Sequence, residues 1–253
     1  MIQITIIGSG NVAQHLIKAF SQNTLVEIVQ VFARNKSSVT SLIDEEKIVS
    51  EFSLLKEVDL YIMAVSDMAV AEISNKLNFT NKLVVHTSGS LAMNVLSNAN
   101  RKGVFYPLQS FSKDKEVNFS DIPICIEAEN EIDYKLLEIL AKSISHKVFN
   151  IDSKQRKALH VSAVFVNNFT NYLYQIGNNI CLENQIDFEI LKPLILETAT
   201  KLNTLSPSDA QTGPAKRNDT ETINAHLNFL TNNNYKEIYK LLTKSIIDHG
   251  KKL

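Results

Sequence analysis

Short Val/Ile-rich runs alternate with polar, helix-like stretches through the first part of the chain: IQITIIG, LVEIVQVFA, DLYIMAV, KLVVHTS, GVFYPLQ, IPICIEA and HKVFNI. Runs apolar at successive rather than alternate positions belong to strands buried on both faces, and the amphipathic segments between them supply the covering helices. The pattern changes near residue 152. From SKQRKALHVSAVFVNNFTNYLYQIGNNICLEN onward it is helical, with no further strand candidate. The expected class is therefore α/β: a doubly wound Rossmann-type parallel sheet over residues 1–151, followed by an all-helical domain over 152–253. The first helix of that domain, about residues 154–182, is apolar on nearly every side (Leu159, Val161, Val164, Phe165, Val166, Phe169, Leu173). Such a helix belongs in a bundle or a dimer core, so a homodimer through the helical domain is expected.

Composition narrows the partners. Lys+Arg at 26 against Asp+Glu at 27 leaves a net charge of −1, with no positive field to collect nucleic acid or an anionic membrane. A small molecule is the expected partner. Cys125 and Cys181 lie in apolar contexts outside any CxxC pair and read as reduced structural thiols of a cytoplasmic protein. The chain begins directly in a strand, without a leader pattern or an apolar run long enough to span a membrane. No His/Asp/Glu set has metal-ligand spacing, so no metal is expected.

The first strand runs into Gly8-Ser9-Gly10-Asn11-Val12-Ala13 and then a helix. Gly8, Gly10 and Ala13 fit G-x-G-x-x-G/A: a tight turn, a close backbone approach to a pyrophosphate, and close packing of helix on strand. Asn11 and Val12 open the helix, whose free N–H groups face the anion. Standing between a first strand and a first helix, the motif reads as a dinucleotide site rather than a structural turn. Glu27 lies at the usual count for a ribose-binding acid, but near the start of the second strand. At that strand's end stand Arg34, Asn35, Lys36 and Ser37. A guanidinium there suits a 2′-phosphate and no carboxylate opposes it, which points to NADP(H) (NADPH) over NAD(H); a solvated basic turn is the alternative. A P-loop, the Tyr-x-x-x-Lys pair of short-chain dehydrogenases and a G-x-S-x-G elbow are all absent.

In a doubly wound sheet, ligands lie at the carboxyl ends of the strands. Ala64, Val65 and Ser66 end one strand; His86, Thr87 and Ser88 end the next. These are candidates for the cofactor, with Ser88 also a candidate donor to a substrate carbonyl; a Ser/Thr-rich helix cap is the alternative.

The segments IIGSGNVAQHL, AVSD, HTSGSL, YPLQSFS and TGPAKRND, in this order and with a helical second half, resemble the Rossmann-like proteins whose second domain is catalogued as a domain of unknown function. More distantly they resemble the deazaflavin-dependent NADP reductases, pyrroline-5-carboxylate reductases and 6-phosphogluconate-dehydrogenase-like enzymes. The resemblance covers nearly the whole chain and implies an NADP-binding domain followed by a helical domain that dimerises and completes the active site. One position departs from it: Asn218 stands where the family tends to have Gly after the arginine. Asn tolerates a left-handed backbone, so the turn is expected to persist.

Within the helical half, His160, Asn167, Asn171 and Asn178 recur at steps that keep them on one stripe of an α-helix. His160 is the candidate general acid, with Asn167 to orient it or the substrate; an interhelical stripe in a dimer is the alternative, preferred for Asn171 and Asn178. Gln109 and Ser110 are candidate substrate hydrogen-bonders, and Tyr106 and Phe111 read as packing residues. Lys216 and Arg217, beside a Gly-Pro turn, could clamp a carboxylate or phosphate, or form a solvated basic loop. The functional expectation is an NADP(H)-dependent oxidoreductase of a small, anionic oxo, hydroxy or imino compound, with a non-catalytic NADP(H) sensor as the rival.

Overall fold

The computed structural model describes residues 1–113 and 115–250, and the chain forms two compact units, Met1–Asn167 and Asn168–Leu253. The first unit contains β1 (Ile2–Ile7), α1 (Asn11–Ser21), β2 (Val26–Phe32), β3 (Ile48–Val49), β4 (Leu60–Met63), α2 (Asp67–Asn75), β5 (Leu83–His86), β6 (Arg101–Pro107), β7 (Ile124–Ala128), α3 (Glu131–Lys142), β8 (Val148–Asn150) and α4 (Ser153–Ala163). One sheet joins all these strands in the order β3-β2-β1-β4-β5-β6-β7-β8.

Why the strands read as continuous apolar runs is visible in their packing. Ile4 and Ile6 of β1 enter a core that includes Leu16, Ile17 and Phe20 of α1 and Leu137 and Leu140 of α3. Their neighbour Ile7 enters a second core with Phe32, Tyr61, Met63 and Val70. Successive side chains of a strand point to opposite faces, so covering both faces demands apolar residues throughout. Two details depart from expectation. β3 is a two-residue strand on the far edge, paired to Val31 and Phe32 of β2, too short to show a pattern. The strands β1 to β6 are parallel, but β7 runs antiparallel to β6, and β8 is parallel to β7.

A π-helical turn at Val164–Phe169 crosses from one unit to the next, and α5 (Thr170–Glu183), α6 (Lys192–Thr200), α7 (Pro207–Ala210), α8 (Thr220–Phe229) and α9 (Asn233–Gly250) come after it. The second unit has no strand among its described residues. The π turn overturns the single stripe expected for His160, Asn167, Asn171 and Asn178. Its i→i+5 bonding takes in an extra residue and rotates the later helical turns by about 100° relative to a continuous α-helix. The expected burial of this helix also fails within one chain: Val161, Phe165, Val166, Phe169 and Leu173 are 40–75 % exposed. Among the described residues of the second unit, the only buried apolar side chains are those of Cys181 and Ala215.

Among the described residues no helix is long and apolar enough to cross a membrane, and no cluster of three or more His, Cys, Asp or Glu could hold a metal ion. Both cysteines are free and buried.

Candidate cofactor and active site

The carboxyl ends of β1, β2, β4 and β5 open onto a cleft of about 520 Å³ lined by Gly8, Gly10, Asn11, Val12, Arg34, Ala64, Val65, Ser66, Thr87 and Gln109, with Phe32 and Phe111. Gly8 has φ +133°, and a Cβ there would stand 2.1 Å from the Ala64 carbonyl oxygen. That contact fixes the β1 turn against the end of β4, and only glycine allows it. Gly10 is the opposite case: a Cβ would meet nothing within 4 Å, because it would project into open space. Gly10 is also the N-cap of α1, with no side chain to satisfy the helix's first N–H groups and no acid in the first turn. An uncapped, positively polarised helix end facing a cleft of this size fits a pyrophosphate. Asn11 Nδ2 donates to the Phe111 carbonyl at 2.9 Å, tying the same turn to the segment after β6.

At the end of β2, Arg34 is exposed and lines the cleft. Its guanidinium makes no hydrogen bond or ion pair among the described residues; Glu72, the carboxylate that feels its charge, is bonded to Lys76 instead. Arg34 is thus available to an anionic ligand. Asn35 and Ser37 are occupied locally: Asn35 Oδ1 accepts from Ser37 N at 3.2 Å and from Ser37 Oγ at 2.7 Å, closing a 3₁₀ turn. Neither lines the cleft.

The loop after β5 is internally tied. Ser88 N donates to His86 Nδ1 at 3.1 Å, and Ser88 Oγ accepts from the N–H groups of Ser90 and Leu91 at 3.1 and 3.0 Å. Ser88 therefore shapes the turn that carries Gly89, and its hydroxyl hydrogen faces Ser90 Oγ at 3.4 Å, since Ser90 gives its own hydrogen to Asp67. His86 is wholly buried, and Nε2 has no partner. Burial, and behind it the nearby Arg156 guanidinium, push its pKa from 6.5 down to about 4, so the ring is neutral at neutral pH.

His160 is set by α4. This helix begins in a capping box, Asp152 Oδ1 accepting from Gln155 N at 2.8 Å while Gln155 Oε1 accepts from Asp152 N at 3.1 Å. One turn on, Arg156 is fully buried and donates to Glu127 Oε2 on β7 at 2.5 Å and to the Leu91 carbonyl at 2.6 Å. Four residues later, on the same helix face, His160 meets β6: its Nδ1 lies 3.3 Å from Tyr106 Oη. Sequence reasoning took Tyr106 for a packing residue and passed over Arg156 and Glu127. A lone arginine in a helix ordinarily reads as solvated, and its partner lies 29 positions away.

The remaining candidates fall elsewhere. Ser110 is exposed, its N–H bonded to Gln109 Oε1 at 2.9 Å. Asn167 is exposed within the π turn. Lys216 and Arg217 are exposed in the second unit, on a turn that uses Gly213 at φ +100° and Asn218 at φ 53°; Asn218 thus takes the left-handed backbone expected of it, and the turn persists. Arg217 stands 4.0 Å from Asp219, the residue that caps α8 by accepting from Thr222 N at 3.1 Å.

Residues 3–89 match the family described as "NADP oxidoreductase coenzyme F420-dependent", and residues 122–246 match a domain of unknown function, DUF2520. The crystal structure of "putative NADP oxidoreductase BF3122 from Bacteroides fragilis" is 38 % identical over 98 % of both chains, with a TM-score of 0.88. The chain belongs to this oxidoreductase family. Two solved structures of lower identity share the fold: protein TM1727 from Thermotoga maritima (19 % identity, 98 % of both chains, TM-score 0.76), and 1-pyrroline-5-carboxylate reductase from Streptococcus pyogenes (17 % identity, 100 % of this chain and 99 % of that one, TM-score 0.63). No curated protein matches the chain. The resemblance carried by IIGSGNVAQHL, HTSGSL and TGPAKRND is thereby confirmed, and the protein is an NAD(P)-dependent oxidoreductase with a Rossmann-type first domain and a helical second one. For this oxidoreductase, the turn Gly8–Gly10 and the open end of α1 are the part of the cleft whose fit to a dinucleotide the geometry supports most directly.

Proposed function

We propose that this oxidoreductase prefers NADP(H) to NAD(H) and acts on a small, anionic oxo, hydroxy or imino compound, with His160 as the group that exchanges a proton with it. The observation that carries the cofactor preference is the unpaired Arg34 guanidinium at the end of β2, where no carboxylate bonds to it. Bound nicotinamide would supply or accept the hydride. The chain's own residues orient and protonate: Gly10 and the α1 N-terminus hold the pyrophosphate, Thr87 and Gln109 line the same cleft, and His160 stands over the loop that follows Thr87. The anionic character of the substrate rests on Lys216 and Arg217, exposed on one turn. Free, buried Cys125 and Cys181 fit a reducing compartment such as the cytoplasm. A second copy of the chain covers the exposed apolar residues of the helical unit.

Separate titrations with NADPH and NADH test the first half. Wild-type protein should bind NADPH more tightly, and Arg34→Ala should lose about tenfold for NADPH alone, in keeping with loss of one charge-assisted contact. An unchanged preference in that variant refutes the assignment. For the second half, a panel of 2-oxo acids and cyclic imines with NADPH should reveal turnover that His160→Asn lowers by roughly a hundredfold. NADPH binding without turnover of any member would favour the sensor reading.

A further inference from the structure

We propose that Tyr106 is a positioning residue for His160: its hydroxyl engages Nδ1, which leaves Nε2 as the nitrogen that exchanges the proton with the substrate. This rests on the reading of His160 as the proton-exchanging group. Tyr106 Oη is 3.3 Å from Nδ1, and the two rings meet edge-on, at 69° with centroids 6.3 Å apart. His160 Nε2 makes no hydrogen bond among the described residues and is not one of the buried unpaired atoms. One ring nitrogen is thus taken and the other open.

The surroundings hold this arrangement from three sides. A Cβ on Gly89 would lie 2.6 Å from His160 Nδ1 and 2.7 and 2.8 Å from Tyr106 Cζ and Oη, so the pair exists in this form only because position 89 lacks a side chain. The loop carrying Gly89 is anchored to α4 through the Arg156 bond to the Leu91 carbonyl, and α4 to β7 through Glu127. Tyr106 itself is fixed in β6, opposite Cys125 of β7. A phenol hydroxyl can serve Nδ1 in either charge state, donating to the bare nitrogen or accepting from Nδ1–H. The proton balance is then simple. The imidazolium gives its Nε2 proton to the substrate oxygen or nitrogen, the N–H electron pair stays on Nε2, the other proton stays on Nδ1 against Tyr106 Oη, and water restores the Nε2 proton. A partner that fixes one imidazole nitrogen so that the other can work is a recurrent device in acid–base sites.

The test uses full-length protein labelled with ¹⁵N-histidine, with the His160 ring signals assigned through His160→Asn. Replacing Tyr106→Phe should move the Nδ1 resonance by several ppm and leave Nε2 nearly in place, with the melting temperature and NADPH affinity retained. In the same variant kcat on the 2-oxo acid or cyclic imine identified by the panel should fall about tenfold with KM unchanged, as expected when a reacting group loses its orientation. Gly89→Ala should displace Nδ1 as well, since the added methyl parts the two rings. An unmoved Nδ1 signal in Tyr106→Phe overturns the inference and leaves the proposed function standing. A moved signal with unchanged turnover in both Tyr106→Phe and His160→Asn also overturns it, by removing His160 from the chemistry.

Discussion

A side chain at position 8 would press its Cβ to 2.1 Å from a backbone oxygen at a φ of +133°, whereas one at position 10 would meet nothing within 4 Å. The two glycines of the turn therefore respond differently to the same change. Gly8→Ala should destabilise the fold by roughly 3 kcal/mol or more, through backbone strain and a steric conflict that Ala64 cannot relieve. Gly10→Ala should leave thermal unfolding nearly unchanged and weaken NADPH binding instead; a loss of stability equal to that of Gly8→Ala would contradict the assignment. His86 gives a second residue-scale prediction. Its folded pKa is held near 4 by burial and by Arg156, while the unfolded value is about 6.5. Between these values the unfolded chain binds the extra proton, so the contribution is complete above about pH 6.5 and is lost as pH falls toward 4. The ceiling is about 3 kcal/mol. Denaturant melts from neutral pH down to about pH 4.5 should show a shallower decline in His86→Gln than in wild type, whatever its stability at neutral pH; equal slopes would remove His86 from the pH response. Of these residues the glycines were legible in the sequence because their spacing is local. Tyr106 was not, since an aromatic residue in an apolar strand carries no mark of what its hydroxyl will touch.

At the scale of elements, α4 is held by one buried charge rather than by an apolar stripe. Arg156 has its guanidinium on Glu127 and the Leu91 carbonyl, and its Nε is left without a partner. Removing one member of such a pair strands the other charge, which typically costs about 3–5 kcal/mol, whereas replacing both by apolar groups often restores most of the loss. Urea unfolding should therefore find Arg156→Leu strongly destabilised and the double variant Arg156→Leu/Glu127→Leu less so. A double variant as unstable as the sum of the single ones would show that the pair does not act as a unit. The same bond explains why α4 packs with the sheet unit although the sequence changes character at its first residue. Composition registers where a helix begins, not which unit its buried side chain belongs to. β3 escaped notice because Ile48–Val49 is shorter than any periodicity, and the π turn because i→i+5 bonding has no residue signature.

For the whole molecule, the two units differ in how they hide apolar surface. The sheet unit encloses two cores of its own, while Leu182, Ile190, Leu194, Leu196 and Phe229 of the helical unit are more than half exposed. The proposed pairing would cover this surface, as exposed apolar area of an association surface requires. With a second copy covering it, sedimentation should give a dimer, and Leu194→Lys with Leu196→Lys should give a monomer that still binds NADPH. A wild-type monomer at micromolar concentration would refute the pairing. The alternation of strands and helices, and the change near residue 152, were readable from pattern alone; the exposure was not, because an apolar helix looks the same whether its cover comes from its own chain or another.

The order in which the chain is made gives that unequal burial a further meaning. Synthesis delivers the sheet unit first, and its closed cores let it settle while the rest is still being added. The helical residues, which leave the ribosome after the sheet unit, are those with the least to bury them. Under the proposed pairing, the final step of maturation is a meeting between finished neighbours, and its yield depends on how many copies are nearby. Cells that make little of this protein would hold a larger share of it incomplete, exposed to chaperones and proteases.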